Sequence, residues 1–231
     1  MIYSRVPWPV NVLPETLQRH ILRFEATIED SVRAFSASLA TGDRVLDAGA
    51  GELQYKPLFP HLRYVSVDLG IGDAEWSYRR LDTIANLQFL PFASNTFAGC
   101  INIVTLEHVQ EPGAVLCELA RVLCRGGRLL LITPLEWEEH QQPHDYFRYT
   151  RFGLRYLLDK AGLEVVELRP CGGFFQLLAR RLLVAPRFFP VLLAPVIFAL
   201  VALPGLLLPL LDGLDRKQDF TLGHICIARK L

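Results

Sequence analysis

The stretch VLDAGAGELQYKPLF, Val45–Phe59, is the clearest indication of the fold in this sequence. An apolar run ends at Asp47, and two glycines, Gly49 and Gly51, follow one residue apart. A glycine-rich turn directly after a buried strand lets a ligand approach the backbone and the N-terminus of the next helix. The pattern predicts the first strand and turn of an open α/β sheet that binds a nucleotide-like cofactor.

Two cofactor classes compete for this turn. A dinucleotide site requires a third glycine, G-x-G-x-x-G, and Gln54 stands at that position. An acidic residue two positions before the first glycine, Asp47, instead favours a cofactor that carries a cationic group. Asp68 ends a second apolar run, RYVSVD, where a carboxylate can accept hydrogen bonds from both hydroxyls of a ribose.

Apolar segments and helical periodicities alternate along the rest of the chain. Leu17 to Leu39 carries apolar residues three or four apart, which predicts one amphipathic helix ended by Gly42. Further helices are expected from Pro112 and after Thr150, a good N-cap. Strands are expected at Val45–Asp47, Arg63–Asp68, Gly99–Val104, Gly127–Thr133, Leu163–Leu168 and Phe220–Ala228. This alternation predicts an α/β fold with a parallel sheet covered on both faces.

Composition excludes several classes of function. The 24 basic and 24 acidic residues cancel, so no global charge favours nucleic acid as a partner. The five cysteines form no CxxC or Cys/His pattern and are interpreted as reduced thiols of a cytoplasmic protein. The first ten residues, MIYSRVPWPV, lack a charged segment followed by an apolar one, so no secretory signal is expected.

Four segments together resemble a class I S-adenosylmethionine-dependent methyltransferase of the type 11 group: VLDAGAG, YVSVDL, LPFASNTFAGCINIVTLEHV and ELARVLCRGGRLLLITP. The resemblance covers roughly residues 40–170. It implies a Rossmann-like, doubly wound, seven-stranded sheet, mainly parallel, with an antiparallel last strand. It also implies S-adenosylmethionine as cofactor.

The resemblance implies roles for individual residues. The glycine turn would face the methionine part, with Asp47 near its ammonium group, while Asp68 would hold the ribose and Leu69 would pack on the adenine. The residues placed on the cofactor are Asp47, Ala48, Gly49, Ala50, Gly51, Asp68, Leu69, Asn86, Leu87, Asn102 and Ile103. Three positions depart from the usual pattern: Glu52 replaces a glycine or threonine, Asn86 replaces an aspartate, and FAG at 97–99 replaces the common Phe-Asp.

A second constellation is HQQPHDYFRYT, His140–Thr150, which resembles a bacterial subgroup with PHDYFRYT at this place. His144 and His140 are the candidate general bases, since histidine titrates near neutral pH. Asp145, Tyr146, Arg148 and Tyr149 are the candidate substrate-binding residues. The alternatives are a local Asp145–Arg148 salt bridge and simple packing of the aromatic rings.

No metal site is expected from the spacing. His140 and His144 lie four residues apart, but Pro143 interrupts any helix that would align them. Glu107 and His108 are interpreted as the start of a helix that packs after a strand.

The uncharged segment Phe188–Leu211 runs for 24 residues between two predicted strands of one sheet. A single membrane span would separate those strands, and four prolines oppose one straight helix. We therefore expect short helices that attach to the inner face of the membrane, aided by flanking basic residues; an apolar homodimer interface or a lid is the alternative. The predicted organisation is an N-terminal helical cap, 1–43, and a methyltransferase domain, 44–231, with an insertion at 174–215.

The predicted function is methyl transfer to a small-molecule or lipid- or glycan-linked acceptor at a hydroxyl group. Methyl transfer from a sulfonium is an in-line displacement that depends mainly on positioning. Two alternatives remain: a nicotinamide-dependent reductase and a non-catalytic scaffold that keeps the fold.

Overall fold

The computed structural model describes residues 12–72 and 76–231. The interpretation of the first ten residues as lacking a secretory signal lies outside the described residues. The chain forms two compact units: residues 28–169 with 224–231, and residues 12–27 with 170–223. The second unit joins the N-terminal helix to the predicted insertion.

The described residues form a seven-stranded sheet in the order β3-β2-β1-β4-β5-β7-β6. Its strands are β1 (Arg44–Ala48), β2 (Arg63–Asp68), β3 (Thr83–Ile84), β4 (Phe97–Ile103), β5 (Leu123–Pro134), β6 (Leu163–Pro170) and β7 (Gly223–Lys230). Strands β3, β2, β1, β4 and β5 pair in parallel, and β7 is antiparallel. The predicted Rossmann-like fold with an antiparallel last strand is confirmed.

The helices are α1 (Glu15–Ile21), α2 (Arg23–Ala37), α3 (Pro112–Val122), α4 (Arg151–Lys160), α5 (Phe174–Val184) and α6 (Ala194–Leu207). Short 3-10 helices lie at Lys56–Leu58, Leu106–His108, Ala185–Phe188 and Leu208–Leu214. Thr150 caps α4 as predicted, because its hydroxyl oxygen accepts a hydrogen bond of 3.1 Å from the backbone N–H of Gly153.

Three local predictions are wrong. The single helix expected over residues 17–39 is broken at Leu22, whose backbone leaves the helical region (φ −94°, ψ 54°). Gly42 does not end α2, which stops at Ala37; it turns the chain into β1 with a φ of +87°. The helix expected to stop at Gly126 ends at Val122, and β5 begins at once, with the left-handed Gly126 (φ +75°) inside it.

The core lies on both faces of the sheet, as a parallel sheet requires. Its largest fully buried side chains are Phe97, Leu46, Ile101, Leu106, Leu116, Leu119, Leu123, Leu129, Leu130, Leu131, Ile132 and Leu154. Most of them come from β1, β4, β5 and α3. The carboxyl ends of β1, β2 and β4 are therefore held side by side on a packed base.

The second unit is built around an apolar helical hairpin. Helix α5 runs out, the chain turns through Pro190–Leu193, and α6 with the following 3-10 helix returns. Asp212, near the end of the hairpin, accepts hydrogen bonds from the backbone N–H groups of Gly173 (2.9 Å) and Gln176 (3.1 Å) at the start of α5. Hydrogen bonds thus join the two ends of the hairpin. The expectation that prolines break this segment into short helices is wrong for Ala194–Leu214, which is one continuous helical segment with Pro204 inside α6.

Helix α6 is apolar on every side. Gly205 is buried against α5, where a Cβ would lie 2.8 Å from the side chain of Leu183. Within residues 12–72 and 76–231, Ala194–Leu214 is the one helical segment long and apolar enough to cross a membrane, and 6% of it is buried. A helix that is apolar all round and exposed to this extent needs an apolar covering.

Candidate functional site

The glycine turn after β1 adopts the backbone that its residues predict. Gly49 has a φ of +90° and Gly51 a φ of +49°, both in the left-handed region that glycine tolerates best. The backbone N–H of Gly49 donates to the carbonyl of Val67 on β2 at 2.8 Å. A Cβ at Gly49 would collide with the side chain of Thr105, and one at Gly51 would lie 3.2 Å from the ring of Trp76. The neighbours of Gly49 thus require glycine, whereas those of Gly51 leave little room for a side chain.

Asp68 joins the end of β2 to this turn. Its Oδ2 accepts a hydrogen bond of 2.9 Å from the N–H of Gly51, and its Oδ1 accepts one of 2.8 Å from Gly70. Each carboxylate oxygen has a second lone pair, so the group can still accept hydrogen bonds from a ribose. Leu69, the next residue, is 47% exposed and presents an apolar surface beside it.

Asp47 lies beneath the turn, not on the surface. It is 1% exposed, and the hydroxyl of Tyr64 donates a hydrogen bond to its Oδ2. Burial raises the pKa of Asp47 to about 7; the Tyr64 hydrogen bond opposes this rise, and the negative charge of Asp68 adds to it. Burial and the nearby Asp47 also raise the pKa of Tyr64 far above its usual range. Sequence patterns gave no signal for this pairing across β1 and β2.

Asn102 connects the end of β4 to the same turn. It is fully buried, and its Nδ2 donates to the carbonyl of Ala48 at 2.7 Å. Its Oδ1 is buried and has no hydrogen-bond donor among the described residues. Of the other residues predicted to line the adenine and sulfonium, Ile103 and Leu87 are buried, and Asn86 Oδ1 accepts a hydrogen bond of 2.9 Å from the backbone N–H of Gln88.

In the loop after β5, Arg148 and Asp145 form the local salt bridge that was the alternative to substrate binding. Two parallel contacts join them, Nη1 to Oδ1 at 2.6 Å and Nη2 to Oδ2 at 2.7 Å. Arg148 also donates to the carbonyls of Trp137, Glu138 and Phe147. Arg148 lowers the pKa of Asp145 to about 2. The pair therefore shapes the loop.

The two tyrosines of this loop differ in position. Tyr149 is 5% exposed, and its hydroxyl donates to the carbonyl of Leu106 at 2.8 Å, so the structure places it in the core. Tyr146 is exposed, and its hydroxyl lies 3.2 Å from both Gln110 Nε2 and His144 Nδ1. Of the two, Tyr146 presents a surface to solvent.

The structure brings together three residues that the sequence spacing kept apart. Glu107 and His108 lie in the 3-10 helix after β4, and His140 comes from the loop after β5. The Nε2 atoms of the two histidines are 3.1 Å apart, and each lies 3.8 Å from Oε1 of Glu107. Burial raises the pKa of Glu107 to about 8 and lowers that of His108. His144 contributes its backbone carbonyl, which lies 2.7 Å from His108 Nδ1.

This fold and glycine turn define a Rossmann-like protein that binds a nucleotide-like cofactor at the carboxyl ends of its strands. Comparison with known proteins makes the class specific. Residues 46–131 match the family described as "Methyltransferase domain". This part of the chain is thus similar to the class I S-adenosylmethionine-dependent methyltransferases, whose methyl donor is S-adenosylmethionine.

A demethylmenaquinone methyltransferase of Renibacterium salmoninarum is 33% identical over 115 residues, which cover 47% of this chain and 46% of that enzyme. The match thus spans under half of either protein. Among solved structures, geranyl diphosphate C-methyltransferase from Streptomyces coelicolor has a TM-score of 0.61 at 14% identity, covering 95% of this chain and 85% of that one. Phosphoethanolamine N-methyltransferase 2 of Haemonchus contortus, bound to S-adenosyl-L-methionine, has a TM-score of 0.58 at 15% identity, covering 88% and 52%. These two structures share the fold.

Proposed function

We propose that this chain transfers a methyl group from S-adenosylmethionine to a hydroxyl of a hydrophobic, lipid-linked or glycan-linked acceptor, and that it does so at the inner surface of the membrane. The observation that carries the methyl-transfer part is the turn at Gly49–Gly51 bonded to Asp68. It combines close backbone access with a carboxylate at the end of the neighbouring strand, which is the arrangement that a nucleoside-bearing cofactor needs. The family supplies the identity of that cofactor.

The proposed reaction is a direct displacement and needs no covalent bond between the protein and either reactant. The acceptor oxygen attacks the methyl carbon, the carbon–sulfur bond breaks, and the leaving group becomes neutral. Holding both reactants in line can supply about 7–11 kcal/mol. A hydroxyl acceptor must also lose its proton, and His140 and His144 are our candidates to receive it. Their loop is fixed by the Asp145–Arg148 pair.

An isoprenoid or other lipid acceptor is favoured by two considerations. The names of two relatives, demethylmenaquinone methyltransferase and geranyl diphosphate C-methyltransferase, denote isoprenoid acceptors. The second consideration is the apolar hairpin of this chain, described above. A protein that takes its acceptor from a membrane gains from attachment to that membrane, because attachment raises the local concentration of the acceptor.

The hairpin supports attachment to one side of the membrane better than a span. Its ends are tied by Asp212, so the chain enters and leaves on the same side. Helix α5 has 11 residues, about 16 Å at 1.5 Å per residue, which is far short of the roughly 30 Å hydrocarbon core. A homodimer interface would need one apolar face, whereas α6 is apolar all round. Arg187 and Arg216 flank the segment and can contact anionic lipid headgroups.

Flotation with liposomes tests the membrane part. Intact protein should float with anionic vesicles, and less with neutral ones. Val191 and Leu192, at the tip of the hairpin, are 88% and 89% exposed, so replacing both by Asp leaves the packing intact and should abolish flotation. Intact protein that stays at the bottom and runs as a dimer without detergent would contradict the proposal and favour an oligomer interface.

Labelled S-adenosylmethionine tests the acceptor. Purified protein should transfer the labelled methyl group into a lipid extract of cells, and mass spectrometry should then find an O-methyl product. The Asp68→Ala variant is the matched control and should label neither fraction. Label that appears only in the aqueous extract would contradict the lipid acceptor. Cofactor binding without any transfer would favour a scaffold, and binding of a nicotinamide nucleotide instead would favour a reductase.

A further inference from the structure

Glu107, His108 and His140 form a cluster of three metal-ligating side chains beside the predicted cofactor turn. Glu107 and His108 come from the 3-10 helix Leu106–His108, directly after Thr105, whose side chain contacts Gly49. One ligand atom from each residue lies within 4.8 Å of the others. The cluster lies entirely within the unit that contains the sheet.

The separations suit a small cation. Zinc binds imidazole nitrogen at about 2.0–2.1 Å and carboxylate oxygen at about 2.0–2.2 Å, so ligand atoms on a tetrahedral zinc lie about 3.4 Å apart. The two Nε2 atoms are 3.1 Å apart, and each is 3.8 Å from Oε1 of Glu107. These three distances lie within about 0.4 Å of the tetrahedral value.

Hydrogen bonds at the outer ring nitrogens fix both histidines in the form that binds a metal. His108 Nδ1 lies 2.7 Å from the carbonyl oxygen of His144, and His140 Nδ1 lies 3.0 Å from that of Glu138. A carbonyl only accepts hydrogen bonds, so each Nδ1 carries the proton and each Nε2 presents a lone pair in the neutral ring. Metal-ligating histidines make this same outer hydrogen bond to a carbonyl or carboxylate.

Glu107 supplies an independent observation. Its side chain is fully buried, and neither carboxylate oxygen has a hydrogen-bond donor anywhere in the described chain. A carboxyl group buried in this way must either keep a proton or be compensated by a bound cation. Two imidazole nitrogens and this carboxyl group therefore converge on one point, where a bound cation can take the place of the proton.

We propose that Glu107, His108 and His140 bind one divalent transition-metal ion of the zinc type. Two imidazole nitrogens and one carboxylate oxygen suit Zn²⁺, Co²⁺ or Fe²⁺ better than Mg²⁺, which prefers oxygen ligands. Three protein ligands leave an open position that a water molecule or an acceptor oxygen can occupy. With the metal bound, His140 is a ligand, and the proton-accepting role in the proposed reaction falls to His144.

The test is metal binding by the purified full chain after removal of metals with a chelator. Zn²⁺ is titrated by calorimetry, Co²⁺ by its visible absorption, and Mg²⁺ serves as a comparison. We expect one Zn²⁺ or Co²⁺ per chain and no Mg²⁺ at the same concentrations. Glu107→Gln, His108→Asn and His140→Asn should each weaken binding at least about 100-fold, since loss of an outer hydrogen bond alone costs about 10–100-fold.

His144→Asn is the matched control, because it removes a histidine of the same loop whose backbone, not side chain, contacts the cluster. It should bind Zn²⁺ as tightly as the wild type. Circular dichroism and S-adenosylmethionine binding report whether each variant folds. Glu107→Gln is expected to fold because it replaces a buried carboxyl group with a neutral group of nearly equal shape. The inference is wrong if the wild type binds neither Zn²⁺ nor Co²⁺, or if it prefers Mg²⁺. It is also wrong if the three cluster variants bind Zn²⁺ as tightly as the wild type does. Because this experiment measures metal binding, its result does not depend on whether the proposed methyl acceptor is correct.

Discussion

Asp47→Asn should stabilise the protein at neutral pH. Asp47 is 1% exposed, and burial raises the pKa of its carboxyl from 3.8 to about 7. Between these values the folded chain holds a proton that the unfolded chain has lost. The unfolded state then binds fewer protons than the folded state, so the free energy of unfolding falls as the pH rises through this window.

The magnitude follows from the two pKa values. One pKa unit corresponds to about 1.4 kcal/mol. The rise in the pKa of Asp47 from 3.8 to about 7 therefore lowers the free energy of unfolding by about 4 kcal/mol at pH 7 and above. Asparagine keeps an oxygen that can accept the hydrogen bond from Tyr64, and it carries no charge to bury. The variant should therefore gain up to about 4 kcal/mol over the wild type at pH 8, and the gain should disappear below pH 4.

Urea unfolding of both proteins at several pH values between 4 and 8 measures this difference. Tyr64→Phe is the companion variant. The Tyr64 hydrogen bond lowers the pKa of Asp47, so its removal should extend the pH-dependent loss of stability to higher pH. If the difference in unfolding free energy between wild type and Asp47→Asn stays constant from pH 4 to pH 8, the folded chain does not hold the extra proton at Asp47. Asp47→Asn should also bind S-adenosylmethionine more weakly, if the carboxylate lies near the cofactor's ammonium group as predicted.

Three further predictions concern the cofactor and the reaction. Asp68→Ala removes two charge-assisted hydrogen-bond acceptors, so calorimetry should show S-adenosylmethionine binding weakened by about 2–4 kcal/mol; unchanged affinity would place the ribose elsewhere. Gly49→Val should abolish cofactor binding, because the valine side chain would clash with Thr105 and because valine disfavours a φ of +90°. Adding Thr105→Gly removes the clash but not the backbone strain. Full recovery of binding in the double variant would argue against a role for that strain. His144→Asn should lower kcat far more than cofactor affinity, and its effect should shrink at high pH, where the acceptor ionises unaided; a pH-independent loss in kcat measurements would instead indicate positioning.

The sequence predicts the sheet well because its strands are short apolar runs next to glycine. Gly49 and Gly51 mark the end of β1, and Asp68 marks the end of β2. The two-residue strand β3 has too few residues for any periodicity, so pattern analysis misses it. The break at Leu22 also carries no glycine or proline signal, and the apolar periodicity continues through it.

The candidate site is only half visible in the sequence. Residues of the glycine turn are consecutive, so a motif captures them. His140 lies 32 residues from His108, and only the pairing of β4 with β5 brings their loops together. The prediction of no metal ligands considered His140 with His144, whose side chain lies outside the cluster. Tyr64 and Thr105 likewise act across strands, and a single sequence shows no such pairing.

The place of β7 in the sheet has a consequence for synthesis of the chain. Among the seven described strands β7 is translated last, yet it lies between β5 and β6, so β6 has no partner strand in this sheet until residues 223–230 are available. The apolar hairpin leaves the ribosome before that strand exists. During this interval the nascent chain exposes the unpaired edge of β5 and the apolar helix α6, and both features favour aggregation. Early capture of the hairpin by a membrane or a chaperone would shield the helix while translation finishes the sheet.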